Sequence, residues 1–545
     1  MKDEEFVYHF PFETPRKVQK LISQAVIKAF KDGFKYVVLQ APTGVGKSPI
    51  AYAVSSYMAE QPIVKNLQFN GSYILTSMKG LQDQYMKDFN HLENKTLNTV
   101  KGKSNYMCCN GKNGVTCEMG SCTNPKSPNH SSCPYIIDRK SAYKSDITVL
   151  NYSYFLNMTY EPSIQPKKQL LILDECHNCE KNLLKFASVE IVGKVFKELN
   201  LKMPKFPSIR AKDSQMIEWL TVSYVPAIKN LDASVQIELE SLHEGEMDFQ
   251  HLKQQSVFLS NMLSMVERLL EQHTKGITIV VDRDGNKSLG FKPLKADIYA
   301  KDFLFSLGEK VLMMSATVMN IKHYCDTLGL NPKEVKYIKV ASPFPLERRP
   351  IVNCAKFALK KANMDECKHE LAQQVKEILE RHKDERGVIH SQSYELANFL
   401  VEELKDPRLF IPRGSGRDLA IQEFLNDPLA DNGVIVSPSL KEGFDFKDDY
   451  ARFCILLKAP YANLGDNFVK KRFNEDPNWY YMEALRDVIQ STGRVVRHNK
   501  DYAVTYFLDK NIMRLIMNNR KYVPTYWSDS IISPQNFKWN PEKFK

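Results

Sequence analysis

Ala41-Pro42-Thr43-Gly44-Val45-Gly46-Lys47-Ser48 combines two glycines, a lysine and a hydroxyl at the spacing of a phosphate-binding loop. Gly44 and Gly46 let the backbone turn tightly, so that its N–H groups face phosphate oxygens. Lys47 can reach the β- and γ-phosphates, and the Ser48 hydroxyl can hold Mg²⁺. An apolar run, Tyr36–Leu39, precedes the loop, and a small-residue segment, Ala51–Val54, follows it. A helix starting there would aim its positive end at the phosphates, and Pro49 would fall in its first turn at little cost. Ala41 stands where the usual pattern has glycine; alone, the stretch could also be a plain glycine-rich turn.

Two further constellations match that chemistry. Leu170–Leu173 reads as a buried strand ending in Asp174-Glu175-Cys176-His177. Asp174 at the strand tip can hold Mg²⁺ through water, and Glu175 can orient and deprotonate an attacking water. His177 can sense the γ-phosphate and relay to a nucleic-acid side. Later come Gln490-x-x-Gly493-Arg494-x-x-Arg497 and, just past another strand, Glu442-Gly443-Phe444-Asp445. Gly443 and Asp445 are candidate nucleotide contacts. The arginine segment is expected on a helix, where Arg494 and Arg497, three apart, share a face. Two guanidinium groups suit a triphosphate held by another domain, and an arginine finger is worth ~10³–10⁵ in rate. The bland alternative is a basic surface helix. Gln19 offers a donor and an acceptor to an adenine edge, or is a surface glutamine.

Five of the eleven cysteines fall between Cys108 and Cys133. Cys108, Cys117, Cys122 and Cys133 lie in a Gly/Asn/Ser/Pro-rich stretch too poor to build its own core, which a metal centre would supply. Zinc sites favour tight cysteine pairs, and only Cys117 and Cys122 come near that; the wide spacing leans to an iron–sulfur cluster, with zinc or no metal as alternatives. Cys109 leaves the first ligand ambiguous, and His130 is a possible stand-in.

These residues need a scaffold of strands with ligand-facing tips. Thr14-Pro15 reads as the start of a helix that Gly33 ends. Tyr73–Thr76 is a strand followed by a lysine-bearing polar loop, Ser77–Gln84, able to touch a nucleic-acid backbone. Ile147–Tyr152 and Val311–Met314 are further strands, the latter ending in Ser315-Ala316-Thr317. Residues 181–305 read as a mostly helical insertion, with helical periodicity around 216–231 and 249–272 and a hairpin near Asp284-Gly285-Asn286. Ser342-Pro343-Phe344-Pro345 marks a linker. Beyond it, strands at 387–390, 433–436, 453–457 and 503–508 alternate with helical patterns at 371–381 and 394–404, which predicts a second parallel sheet.

Lys and Arg total 75 against 64 Asp and Glu, a net charge of +11 that suits a polyanionic partner. No run approaches the ~18 apolar residues of a membrane span, and the charged N-terminus has no signal-peptide pattern. An intracellular protein, cytoplasmic or at the nucleoid, is expected, with its cysteines reduced.

Taken in order, these residues resemble the XPD/DinG family of iron–sulfur helicases in superfamily 2. The match runs through Arg16-Lys17-Val18-Gln19, the A-x-x-G-x-G-K-S loop, Lys101–Cys108, Cys133-Pro134-Tyr135, Asp174–Asn178, Ser315–Thr317, Ser342–Phe344, Glu442–Phe446 and the Gln490–Arg497 segment. The resemblance implies an α/β chain with two RecA-like parallel-sheet motor domains, the first carrying a metal-cluster insertion and a helical arch. It places motor domain 1 at 1–97, 146–180 and 306–345, the cluster at 98–145, the arch at 181–305 and motor domain 2 at 346–545. It implies a [4Fe–4S] cluster on Cys108, Cys117, Cys122 and Cys133. It also implies ATP-driven movement along single-stranded DNA, typically 5′ to 3′, with forked duplex opened near the cluster. The family usually has alanine at Cys176, and an N-terminal nuclease domain of some relatives is not expected. A monomer is expected. The rival readings are an RNA or RNA–DNA hybrid helicase, and a nucleic-acid-binding scaffold with a structural nucleotide site.

Overall fold

Runs of Val, Ile and Leu bounded by polar tips become strands with both faces covered, the pattern of parallel sheets. The structure, a computed structural model, describes residues 9–544 apart from 63–66, 68–69, 93, 111–113, 161–165, 209, 243–246, 286, 415, 428–431, 439, 441–443 and 445. In chain order the strands are β1 (Tyr36–Gln40), β2 (Ser72–Thr76), β3 (Leu97–Thr99), β4 (Ile147–Asn151), β5 (Lys168–Leu173), β6 (Val189–Val192), β7 (Ile279–Asp284), β8 (Ser288–Pro293), β9 (Gly308–Ser315) and β10 (Val335–Lys339). The second half has β11 (Ile351–Phe357), β12 (Gly387–His390), β13 (Leu409–Phe410), β14 (Val434–Ser437), β15 (Phe453–Leu456), β16 (Val504–Asp509) and β17 (Ile531–Ile532).

The first seven-stranded sheet runs β10-β1-β9-β5-β2-β4-β3 and the second β13-β14-β12-β15-β16-β11-β17, every pairing parallel. Alternation sorts side chains between two cores. Val37, Leu39, Ile74 and Ile172 pack on one face of the first sheet, and Val38, Leu75, Leu171 and Leu173 on the other. In such sheets ligands collect at the carboxyl ends of the strands. The phosphate loop follows β1, Asp174 follows β5 and Ser315 closes β9, so all three stand at one edge.

The segment between β6 and β9 is not purely helical. Helices Val225–Glu240 and Met247–Thr274 sit on an antiparallel sheet, β6-β8-β7, and share an apolar core around Tyr224, Ile228, Leu259 and Phe291. The helical periodicity read at 216–231 is broken at Leu220–Tyr224, where the helix widens by one residue per turn. The base of this insertion meets helix Asn467–Glu475 of the second half: Lys471 pairs with Asp213 at 2.6 Å, and Lys292 lies over Phe468. Arg472 and the Trp479 indole converge on Glu180, at 2.8 and 3.1 Å.

Three local expectations are corrected. The first helix starts at Lys17 rather than at Pro15, because Gln19 folds back to cap the Arg16 amide. The lysine-bearing loop after β2 is a helix from Lys79, and Gln82 is buried against the Val100 and Val149 carbonyls, which removes it from any nucleic-acid surface. Helix Pro477–Thr492 ends at Gly493, so Arg494 and Arg497 lie in the following loop. Their backbone is committed elsewhere: the Arg494 carbonyl accepts from Phe446 N, and Arg497 N donates to Asp501. Among the described residues no helix is long and apolar enough to cross a membrane.

Candidate nucleotide cleft and cysteine centre

Gly44 and Gly46 both take the left-handed backbone, at φ of 79° and 89°, and Gly46 opens helix Lys47–Ala59. The helix dipole and the loop amides thus point at one spot. The helix Lys17–Lys31 straps the loop from outside: Arg16 donates to the Gly44 carbonyl at 2.8 Å, and Gln19 donates to the Val45 carbonyl at 3.1 Å. Gln19 is buried, its amide nitrogen donating to the loop and its oxygen accepting the Arg16 N–H, and in this position it shapes the phosphate loop.

Asp174 is buried at the tip of β5, and Glu175 adopts a left-handed backbone at φ 48°, a strained choice for a side-chain-bearing residue. That turn aims Glu175 back at Lys47, whose Nζ lies 3.6 Å from Oε1. His177 Nδ1 lies 3.3 Å from Glu175 Oε2 and 2.8 Å from Ser315 Oγ. Burial pushes the Glu175 carboxyl up, but Lys47, His177 and Arg494 together outweigh it and hold the group well below the usual carboxylate range. Burial, then the charge of Glu175, raise Asp174 to about 6, with Lys47 opposing. Two adjacent carboxyls with opposite shifts are suited to different tasks.

The second half closes on this edge. Gln490 reaches His177 Nε2 at 2.7 Å and Thr317 Oγ1 at 3.1 Å. Arg494 contributes charge to Glu175 from the other sheet. Gly44 is enclosed on two sides: a Cβ there would stand 2.1 Å from the Phe344 ring and 2.6 Å from the Arg497 carbonyl. A cavity beside the loop is lined by Thr43, Glu175 and Thr317 from the first half and by Gln490, Arg494 and Arg497 from the second. Its volume is about 100 Å³, below the ~300–1,000 Å³ of small-molecule sites. A nucleoside triphosphate therefore requires the halves to part. Pro42 also lines it; Ala41 is buried beneath, its N–H bonded to the Ser315 carbonyl. Gly443 and Asp445 lie outside the described residues.

Sequence reasoning missed Tyr85. Its hydroxyl donates to Asp174 Oδ2 at 3.2 Å. It also missed Arg16 as a strap on the loop; neither residue belongs to a spacing pattern that points to phosphate.

The cysteines converge. Cys122 Sγ lies 3.5 Å from Cys117 Sγ and 3.3 Å from Cys133 Sγ, and Cys117 and Cys133 are 3.8 Å apart. Cys108 is buried. Cys109 is exposed and turns to Asn110 and the Asn129 carbonyl. Gly120 is required here, since a Cβ would meet Cys108 Sγ at 2.2 Å. Burial raises the Cys117 and Cys122 thiols, so only a cation would draw them to the thiolate form in place. Cys117, Cys122 and Cys133 form a group able to hold a metal ion; neither Cys108 nor His130 is part of it.

The chain matches two family descriptions: the helicase C-terminal domain over residues 375–530, and the type III restriction enzyme res subunit over 13–204. It is 21% identical to the ATP-dependent DNA helicase YoaA of Escherichia coli (strain K12), over 94% of this chain and 93% of that protein. It is 22% identical to the ATP-dependent DNA helicase CHL1 of Debaryomyces hansenii, over 69% of this chain and 57% of that one. Among solved structures, an XPD helicase superposes with a TM-score of 0.63 at 17% identity, over 96% of this chain and all of that one. Xpd4 of S. tokodaii superposes at 0.57 and 15% identity, over 95% of this chain and all of that one. The fold of two RecA-like domains is therefore that of XPD. In sequence and in fold alike, this chain is similar to the XPD/DinG-like helicases of superfamily 2.

Proposed function

We propose that the chain is an ATP-dependent DNA helicase that moves along single-stranded DNA, 5′ to 3′, and opens forked duplex. The observation that carries this is the placement of Glu175 between Lys47 of the phosphate loop and the His177–Gln490 contact with the other half. A site built only to hold nucleotide has no need of a carboxylate kept ionised there.

The loop amides and Lys47 receive the β- and γ-phosphates, and Arg494 and Arg497 approach the same oxygens from the second domain. Glu175, held deprotonated, orients a water in line and takes its proton. Mg²⁺, with Ser48 and Asp174 as its protein contacts, would neutralise charge on the phosphates. Loss of the γ-phosphate frees Glu175 and Lys47 to re-pair. His177 and Gln490 pass that change to the second domain, and the cleft moves between its closed and open forms. A strand gripped through its backbone and by base stacking is thereby advanced without regard to sequence and in a salt-sensitive way.

Cys108, Cys117, Cys122 and Cys133 would hold the metal centre. Four buried cysteines in a loop-rich insertion suit a [4Fe–4S] cluster, which would fasten the insertion together. The convergence of Cys117, Cys122 and Cys133 would also suit zinc, the second reading.

The test is ATP hydrolysis and unwinding on 5′- and 3′-tailed forks, wild type against Glu175→Gln, with iron and zinc measured on anaerobically purified protein. Loss of turnover with nucleotide still bound is expected. Unchanged DNA-stimulated turnover in Glu175→Gln removes Glu175 as the base. Stimulation by RNA but not DNA replaces the substrate, and no hydrolysis in the wild type leaves the scaffold reading.

A further inference from the structure

Tyr85 sits on helix Lys79–Phe89, one element away from the phosphate loop, with about 2% of its surface exposed. Its ring packs edge-on against Phe89, which in turn packs on Tyr52 of the helix that follows the loop. For that packing a phenylalanine would do equally well, since the hydroxyl adds no apolar area. A buried hydroxyl costs free energy unless it is bonded, so its partners matter. Here the partner is the Asp174 carboxylate, to which it donates at 3.2 Å. The other Asp174 oxygen is taken by the Glu175 N–H at 3.0 Å. The phenol thus fixes, from another element, a side chain that the functional reading assigns to Mg²⁺.

We infer that Tyr85 is the positioning residue of the divalent-cation site, its hydroxyl holding the Asp174 carboxylate in the orientation in which it faces the cation. This rests on the nucleotide-cleft reading above. Without the hydroxyl, Asp174 keeps only its backbone hydrogen-bond partner. Partners that orient metal ligands are worth ~10–100-fold in metal affinity.

The experiment titrates Mg²⁺ against binding of a fluorescent ADP analogue, in wild type and Tyr85→Phe, without DNA and without turnover. A parallel arm measures the same binding in EDTA, and thermal melting confirms that the variant folds. The expected result is a tenfold or greater rise in the Mg²⁺ midpoint for Tyr85→Phe, with affinity in EDTA unchanged. An unchanged midpoint, or an equal loss with and without Mg²⁺, overturns the inference, the second by showing a merely structural role. A wild type that binds the analogue in neither arm overturns the nucleotide-cleft reading itself. Binding in EDTA with no response to Mg²⁺ overturns the cation site alone.

Discussion

Gln490 donates its side-chain amide to Nε2 of His177 at 2.7 Å, across the boundary between the two parallel sheets. With Nε2 accepting, the imidazole carries its proton on Nδ1, where Ser315 Oγ and Glu175 lie within 2.8 and 3.3 Å. The ring therefore reads the carboxylate on one side and the second domain on the other. Gln490→Ala is expected to leave nucleotide affinity near that of wild type and to cut DNA-stimulated hydrolysis ~10-fold or more, the worth of a hydrogen bond of ~1.5–3 kcal/mol to a charged network. Unwinding should fall further than hydrolysis. Steady-state ATPase and fork-unwinding rates on one preparation check it; an equal fall in both means that the contact does not couple the domains.

Gly44→Ala should be more severe. The added methyl would stand 2.6 Å from the Arg497 carbonyl and 2.1 Å from the Phe344 ring, on a backbone at φ 79°. Neither neighbour is the free end of a flexible chain. The halves must separate or the loop must change shape, and turnover is expected to drop by at least ~100-fold while each domain stays folded. ATPase rates with circular dichroism as the control decide it, and near wild-type turnover would mean that the halves do not meet over Gly44 in the working cycle.

The cysteine insertion gives a paired prediction. Cys108→Ser removes a buried thiol, whereas Cys109→Ser alters an exposed one facing Asn110. Metal content should fall in the first and hold in the second, with iron or zinc per chain as the readout. Loss of the metal should also raise proteolysis within 101–133, because this stretch has little apolar core of its own.

Lys168 gives a pH dependence. Fully buried, it donates to the Ser145 carbonyl and the Thr148 hydroxyl, and lies over the Tyr73 ring. Burial lowers its pKa to about 7 from 10.5, with Asp146 opposing. The unfolded chain then binds more protons than the folded one between about 7 and 10.5, so this group makes stability rise with pH across that window, by at most ~1.4 kcal/mol per unit. Below about 7 both states carry the proton and the contribution is flat. Lys168→Met should erase the slope: wild-type Tm gains on that of the variant between pH 7.5 and 9.5. Parallel melting curves in the two proteins would refute it.

Nine of the fourteen strands in the two parallel sheets were legible, each a short apolar run with a polar tip; β3, β10, β11, β13 and β17, mostly at or beside the sheet edges, were not. The helix over Tyr394–Leu404 appears with its predicted bounds, where Ser393 caps it. The phosphate loop, the Asp174–Glu175 pair and the cysteine cluster were legible too, since each is set by residues close in sequence. Less was legible where a partner decides the conformation. Arg494 and Arg497 look helical by spacing, yet Phe446 and Asp501 bond their backbone and draw it out of the helix. That Gln19 bonds the Val45 carbonyl of the loop follows from no local pattern.

Local sequence by itself determined that this protein has two parallel-sheet halves, a phosphate loop with an acidic partner and a cluster of thiols. These features depend on backbone freedom, side-chain type and periodicity, which act over a few residues. Tertiary structure alone decided that Glu175 faces Lys47, that Gln490 reaches His177 from the other sheet, that Cys108 rather than Cys109 turns inward, and that Tyr85 bonds Asp174. Each of these joins groups far apart in the chain, and their positions follow from how strands cross and layers pack, which no local pattern encodes.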